Sequence, residues 1–240
     1  MPTRQQIRQF VEEFLQRVVH SASEAWKGIY CLLLWFEEGL LHIVEVNALR
    51  TRSWREKSRK AAEWLANRMG CNVSALPEIL DGLMRWEELR GFQRQNPLGI
   101  GFVYAVRFLL ETFNPSSCRF LAEAVVGDQV FPRISHPPRR SVDIVAICNS
   151  TEKAIVSVKW SIRHDRMKDL FDECETYKRE YPRLKFFTVT NEFMPARLTR
   201  LCENPCIDGV FHVCKELVEF VNSQTFARLR DLGDLLTMPI

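Results

Sequence analysis

Few features of this sequence are extreme, and each shortage excludes something. The net charge is only +3 over 240 residues, so composition alone does not mark a polyanion binder. A membrane-spanning helix needs roughly 20 apolar residues. The longest apolar run, Gly28–Phe36, is far shorter and is followed by two glutamates. The first residues are polar and pass directly into an amphipathic pattern, so no secretory leader is expected. There is no internal repeat and no low-complexity tract. The eight cysteines are scattered, mostly inside apolar stretches. Cys202 and Cys206 have three residues between them and no second ligand pair nearby, which argues against a zinc site. Free, buried thiols in a reducing cytoplasm are therefore the expectation. With 46% hydrophobic, 26% charged and 11% aromatic residues, the chain predicts a packed core rather than disorder.

The first 90 residues read as helix throughout. Ile7, Phe10, Val11, Phe14 and Val18 recur at helical spacing, and Trp54, Ala61, Trp64, Leu65 and Met69 form a second stripe. The polar stretch Arg90–Asn96, ending in Pro97, predicts a junction. It divides an all-helical unit, residues 1–95, from a second unit, residues 96–240. In the second unit, Phe102–Phe113 and Arg119–Val126 are predicted helices. After Pro137 and Pro138 the pattern changes to strands, at Ser141–Cys148, Ala154–Trp160, Lys185–Thr190 and Gly209–Val213. Helical segments fall between them at 166–181 and 194–202, and again from Lys215. This order predicts an α/β (α+β) fold, a mixed central sheet flanked by helices, whose first two strands form a hairpin.

Both hairpin strands are apolar on both faces, as central strands are, yet Asp143, Ser157 and Lys159 interrupt them. Alternation puts Ser157 and Lys159 on one face. Closing the hairpin through Asn149–Glu152 sets Asp143 opposite residues 157–159. A buried charge must be paired or bind something. On the next helix Glu173 flanks the apolar stripe of Met167, Leu170, Phe171, Cys174 and Tyr177, whereas Asp172 and Glu175 point away from it. Two carboxylates and a lysine near one point suit metal-assisted phosphodiester hydrolysis. Asp143 and Glu173 would hold Mg²⁺ through oxygen, and Lys159 would orient water and offset transition-state charge.

The order Asp143, Ser157-x-Lys159, thirteen residues, Glu173 resembles the PD-(D/E)XK nuclease superfamily. Within it, the pattern is similar to the branch of type II restriction endonucleases whose sites contain CCGG. There a serine replaces the usual acidic residue and the carboxylate comes from the following helix. The same branch carries Arg-x-Asp-Arg four residues after the lysine, here Arg163-His164-Asp165-Arg166. The resemblance implies that Arg163, Asp165 and Arg166 read base edges in the major groove, arginine on guanine and carboxylate on cytosine. It also implies double-stranded DNA as partner, a homodimer on a palindrome, Mg²⁺ with no small-molecule cofactor, 5′ overhangs, and a prokaryotic cytoplasm. It covers about residues 140–180. Val142 stands where many members have proline, and Asp143 and Ser157 lie closer together than in long-insert relatives.

Plainer readings stand beside these. Asp165 also suits a helix N-cap, and His164 suits a solvent-facing position. Glu123 is either an extra active-site carboxylate or an ordinary exposed one. Arg133, Arg139 and Arg140 precede the first strand, where they could touch DNA phosphates. The run Arg50–Lys60, with six basic residues against one glutamate, fits phosphate contact or a solvated helix face. Two other functions remain open, a repair or nicking nuclease of the same superfamily and a non-catalytic DNA-binding protein of the same fold.

Overall fold

Thr3 starts the first helix. Its hydroxyl accepts from the Gln6 amide, and the Gln6 side chain accepts in return from the Thr3 amide, at 3.2 and 2.8 Å, a reciprocal cap. Helix α1 (Arg4–Val18) then buries Ile7, Val11 and Leu15 at four-residue spacing. The structure, a computed structural model, describes residues 3–39, 52–70, 77, 80, 97–122, 142–162 and 164–240. A 3₁₀ turn (Ala22–Glu24) leads into α2 (Ala25–Gly39), and α3 (Arg52–Met69) follows. Ala61, Ala62 and Leu65 of α3 are buried. Much of its basic run is already paired: Arg59 with Glu63, Lys60 with Glu56, and Lys57 with the Asn222 side chain. The run therefore includes a self-neutralised helix face.

Helix α4 (Pro97–Phe113) is the central column, with Leu98, Phe102, Ala105, Val106, Leu109 and Leu110 buried. It packs against α1 and α2 on one side and the sheet on the other. Arg107 fastens these layers together. Its guanidinium donates to Glu12 of α1 at 2.8 Å, to Glu111 at 2.5 Å and to the Phe120 carbonyl at 2.9 Å. One apolar core runs from α1 to the C-terminal helix. The division expected at 95/96 falls outside the described residues.

Six strands are described: β1 (Cys118–Ala122), β2 (Ile144–Cys148), β3 (Thr151–Lys159), β4 (Lys185–Thr190), β5 (Gly209–His212) and β6 (Leu229–Asp231). They lie side by side in sequence order, β1 to β3 antiparallel and β3 to β6 parallel. Helices α5 (His164–Glu180), α6 (Pro195–Glu203) and α7 (Lys215–Asn222) make the crossovers, and α8 (Leu232–Thr237) closes the chain. The hairpin turns at Asn149 and Ser150, both at positive φ, 53° and 59°, as a tight two-residue loop demands. The fold is thus the expected mixed α/β sheet flanked by helices. No helix of the described residues is long and apolar enough to cross a membrane.

Two expectations require correction. Residues 119–122, the start of the helix expected at 119–126, lie in edge strand β1, because pairing with β2 outweighs the helix preference of Leu and Ala there. The helix expected from Lys215 is present as α7. It stops at Asn222, where Ser223 turns left-handed at φ 53°, and a short strand and α8 follow. The cysteines are not all free: Cys118 is bonded to Cys148 across β1 and β2, and Cys174 of α5 to Cys206. Sequence spacing could not show this, since each pair depends on tertiary approach. Burial pushes the Cys202 thiol up to about 11 and Cys214 up to about 12, so both are inert thiols at neutral pH.

Candidate active site

Antiparallel register sets Ile144 against Val156, so Asp143, one residue outside β2, falls beside Ser157. Its hydrogen bonds with the described residues converge on one oxygen. Asp143 Oδ2 accepts from Ser157 Oγ at 3.3 Å, from the Val158 amide at 2.8 Å and from the Lys159 ammonium. Asp143 Oδ1 takes no hydrogen bond among the described residues. Ser157 is buried, but Asp143 and Lys159 keep 24% and 37% of their side-chain surface. The pair therefore stands at an opening of the sheet, where a ligand can reach it. At that exposure a salt bridge contributes about 1 kcal/mol or less, so the ammonium can exchange its partner at little cost.

Glu173 lies on α5, half-buried, while Asp172 and Glu175 beside it are exposed. Met167, Leu170, Cys174 and Tyr177 are the buried stripe that orients the helix. Two tethers hold α5 to the loop before β5: the Cys174–Cys206 bond, and Lys178 on Asp208 at 2.7 Å. Asp208 also accepts from the Phe186 amide at 2.8 Å. Arg166 is exposed and pairs with Asp169 at 3.0 Å. His164 and Asp165 form the first turn of α5; their side chains lie outside the description, as do Arg163, Glu123, Arg133, Arg139 and Arg140.

The donor set suits a hard cation. Asp143 Oδ1 is a carboxylate oxygen of the type that Mg²⁺ prefers, so Asp143 could serve as one ligand. Among the described residues no three His, Cys, Asp or Glu side chains are grouped to hold an ion by themselves.

Beyond this junction the parallel strands carry a polar row that the sequence reading missed. Lys159, Thr190, His212 and Asp231 are in register on neighbouring strands, and so share one face of the sheet. Thr188, Thr190, Asn191, Glu192 and His212 are all buried. Apart from Thr188 Oγ1, which has no partner among the described residues, they form a bonded network. His212 Nε2 lies 3.2 Å from the Glu192 carbonyl, and the Cys214 amide donates to Nδ1 at 3.0 Å. Nδ1 also lies 2.8 Å from the Cys214 carbonyl, so backbone groups hold the ring at both nitrogens. Burial lowers its pKa to about 4. Tyr30 of α2 donates to Asn191 Oδ1 at 2.5 Å, and burial raises its phenol well above the ordinary value. One signal was available: Asn191 and Glu192 directly follow an apolar strand, at the carboxyl edge where parallel sheets gather functional groups.

No family model and no curated protein matches this sequence. Two proteins solved with DNA are similar in fold. A restriction endonuclease PspGI–substrate DNA complex shares 14% identity over 91% of each chain, with a TM-score of 0.43. Metal-depleted Ecl18kI in complex with uncleaved, modified DNA shares 10% identity over 98% of this chain and 83% of that one, with a TM-score of 0.39. Identities this low assign no role to any residue here.

Proposed function

We propose that this chain is a Mg²⁺-dependent type II restriction endonuclease of the PD-(D/E)XK kind. It cuts double-stranded DNA at a palindrome containing CCGG and leaves 5′ overhangs, as the cutting half of a restriction–modification system in a prokaryotic cytoplasm. The observation that carries this reading is the junction of Asp143 and Lys159. A carboxylate and an ammonium meet at the partly exposed edge of a largely apolar hairpin, with one carboxylate oxygen taking three donors and the other taking none among the described residues.

The residues divide the chemistry. Three donors on Oδ2 fix the Asp143 carboxylate and turn Oδ1 outward, so it acts as a preset oxygen ligand. Glu173 supplies the second carboxylate from α5. When bound, Mg²⁺ polarises the scissile phosphate and makes a water more acidic. Lys159 orients that water and offsets the negative charge that grows on the phosphorane-like transition state. Arg163 and Arg166 donate to guanine O6 and N7, and Asp165 accepts from cytosine N4. Arg166 reaches DNA only by leaving Asp169, an exposed exchange of small cost. Arg133, Arg139 and Arg140 contact phosphates, and Glu123 stands as an additional carboxylate. Two copies related by a two-fold axis read the palindrome, with residues 1–95 serving dimerisation or clamping.

The decisive experiment incubates purified protein with plasmid DNA and Mg²⁺ and sequences the fragment ends. Discrete ends at CCGG are expected. Structure-specific nicks, or intact plasmid, would overturn the proposal. Lys159→Ala should lower the cleavage rate by about 10²–10³-fold or more while binding of uncleaved duplex in Ca²⁺ persists.

A further inference from the structure

Glu192 has no part in the chemistry above, yet it is the most deeply buried acid described, at 1% exposure. A carboxylate is costly to bury unless its oxygens are bonded, and here they are. Oε1 accepts from the Met194 amide at 2.8 Å. Oε2 accepts from the Ile162 amide at 2.9 Å and faces Arg197 Nη1 of α6 at 3.3 Å. The backbone beside it is held too, since the Glu192 amide donates to Thr190 Oγ1 at 3.1 Å.

The Ile162 contact matters most, because of where it lies. Residues 160–162 are the link between Lys159, at the end of β3, and α5, which carries Arg166 and Glu173. The link is grasped at two points by consecutive residues. The Asn191 amide donates to the Trp160 carbonyl at 3.0 Å, and Glu192 accepts from Ile162. Trp160 and Ile162 are themselves buried. Ile162 lies two residues before His164, where α5 begins, so the hold on Ile162 acts close to the start of that helix.

We propose that Glu192 is a positioning residue for sequence recognition: its carboxylate fixes the 160–162 link, and so sets α5 against Lys159. The structural half rests on the hydrogen bonds alone, and the functional half rests on the reading of the chain as a CCGG endonuclease. A purely space-filling role would be met by an apolar or amide side chain. Three converging donors instead require a group with two acceptor oxygens.

The test uses the full-length protein in two assays. Hydrogen exchange in Glu192→Ala should accelerate in peptides covering 160–166, with those covering 142–148 and 185–190 unchanged. Equilibrium binding in Ca²⁺ to a CCGG duplex and to its scrambled counterpart should show discrimination falling at least about tenfold, the scale of one lost bidentate base contact. Affinity for the scrambled duplex should hold. Glu192→Gln leaves one oxygen for three donors and should show smaller changes in the same direction, which keeps the inference testable if the alanine variant fails to fold. Leu217→Ala, destabilised in the core away from the link, should retain the wild-type ratio. Unchanged exchange at 160–166 overturns the positioning role. Faster exchange with wild-type discrimination overturns its bearing on recognition. A wild-type protein that shows no preference for CCGG overturns the endonuclease reading itself, whatever the exchange data show.

Discussion

At Asp143 the two carboxylate oxygens differ, one taking three donors and the other none among the described residues. The placement of Asp143 beside Ser157 follows from a single register pair, Ile144 with Val156. Thr188, in register with Ser157 one strand away, shows the contrary case, because its hydroxyl is buried without a partner among the described residues. An unsatisfied buried hydroxyl costs about 1–3 kcal/mol, and removing it with shape preserved can be neutral or favourable. Thr188→Val is therefore expected to leave stability unchanged or raise it by about 1 kcal/mol in urea unfolding. A loss larger than that would mean the hydroxyl has a partner after all.

Among the elements, α5 carries most of the proposed function and is tied down at both ends. Its entry is held through Ile162 by Glu192. Further along, Cys174, immediately after Glu173, is bonded to Cys206, and Lys178 pairs with Asp208. Closing a loop with a sequence separation of 32 residues restricts the unfolded chain by about 3–4 kcal/mol. Cys206→Ser should lower unfolding stability by roughly that amount. It should also loosen α5 in hydrogen exchange more than it loosens α7. Peptide mapping without reductant should recover 174 and 206 linked, and an alkylatable Cys206 thiol in the native protein would refute the tether. β1 illustrates the reverse dependence. Its residues suit a helix locally, and only the open edge of β2 makes them a strand.

At the scale of the whole molecule, the polar row makes stability depend on pH. His212 is neutral in the fold, its pKa lowered from 6.5 to about 4 by burial. Below pH 6.5 the unfolded chain takes up a proton that the native ring refuses until about pH 4. The fold thus has this contribution in full above pH 6.5 and loses it as pH falls toward 4, on the order of 3 kcal/mol. Asp231, in register with His212, acts in the opposite sense: burial raises its carboxyl pKa, which offsets part of the loss at the acid end. Urea unfolding at pH 8 and pH 5 should therefore differ, the protein being weaker at pH 5. A His212→Gln variant should show a flatter dependence, and an identical slope would remove His212 as its cause.

Local pattern by itself determined the mixed α/β class, four of the six described strands, the hairpin, and the facing of Asp143 with Ser157 and Lys159. These follow from period-two alternation and short-range closure, properties of contiguous residues. The half-buried place of Glu173, with Asp172 and Glu175 exposed, was legible for the same reason, as a helical wheel needs only sequence. Edge strand β1, the two cysteine pairs and the Glu192 anchor were decided by tertiary structure alone. Each joins residues some 30 positions apart, and whether they meet depends on strand pairing and crossover packing that no local window contains.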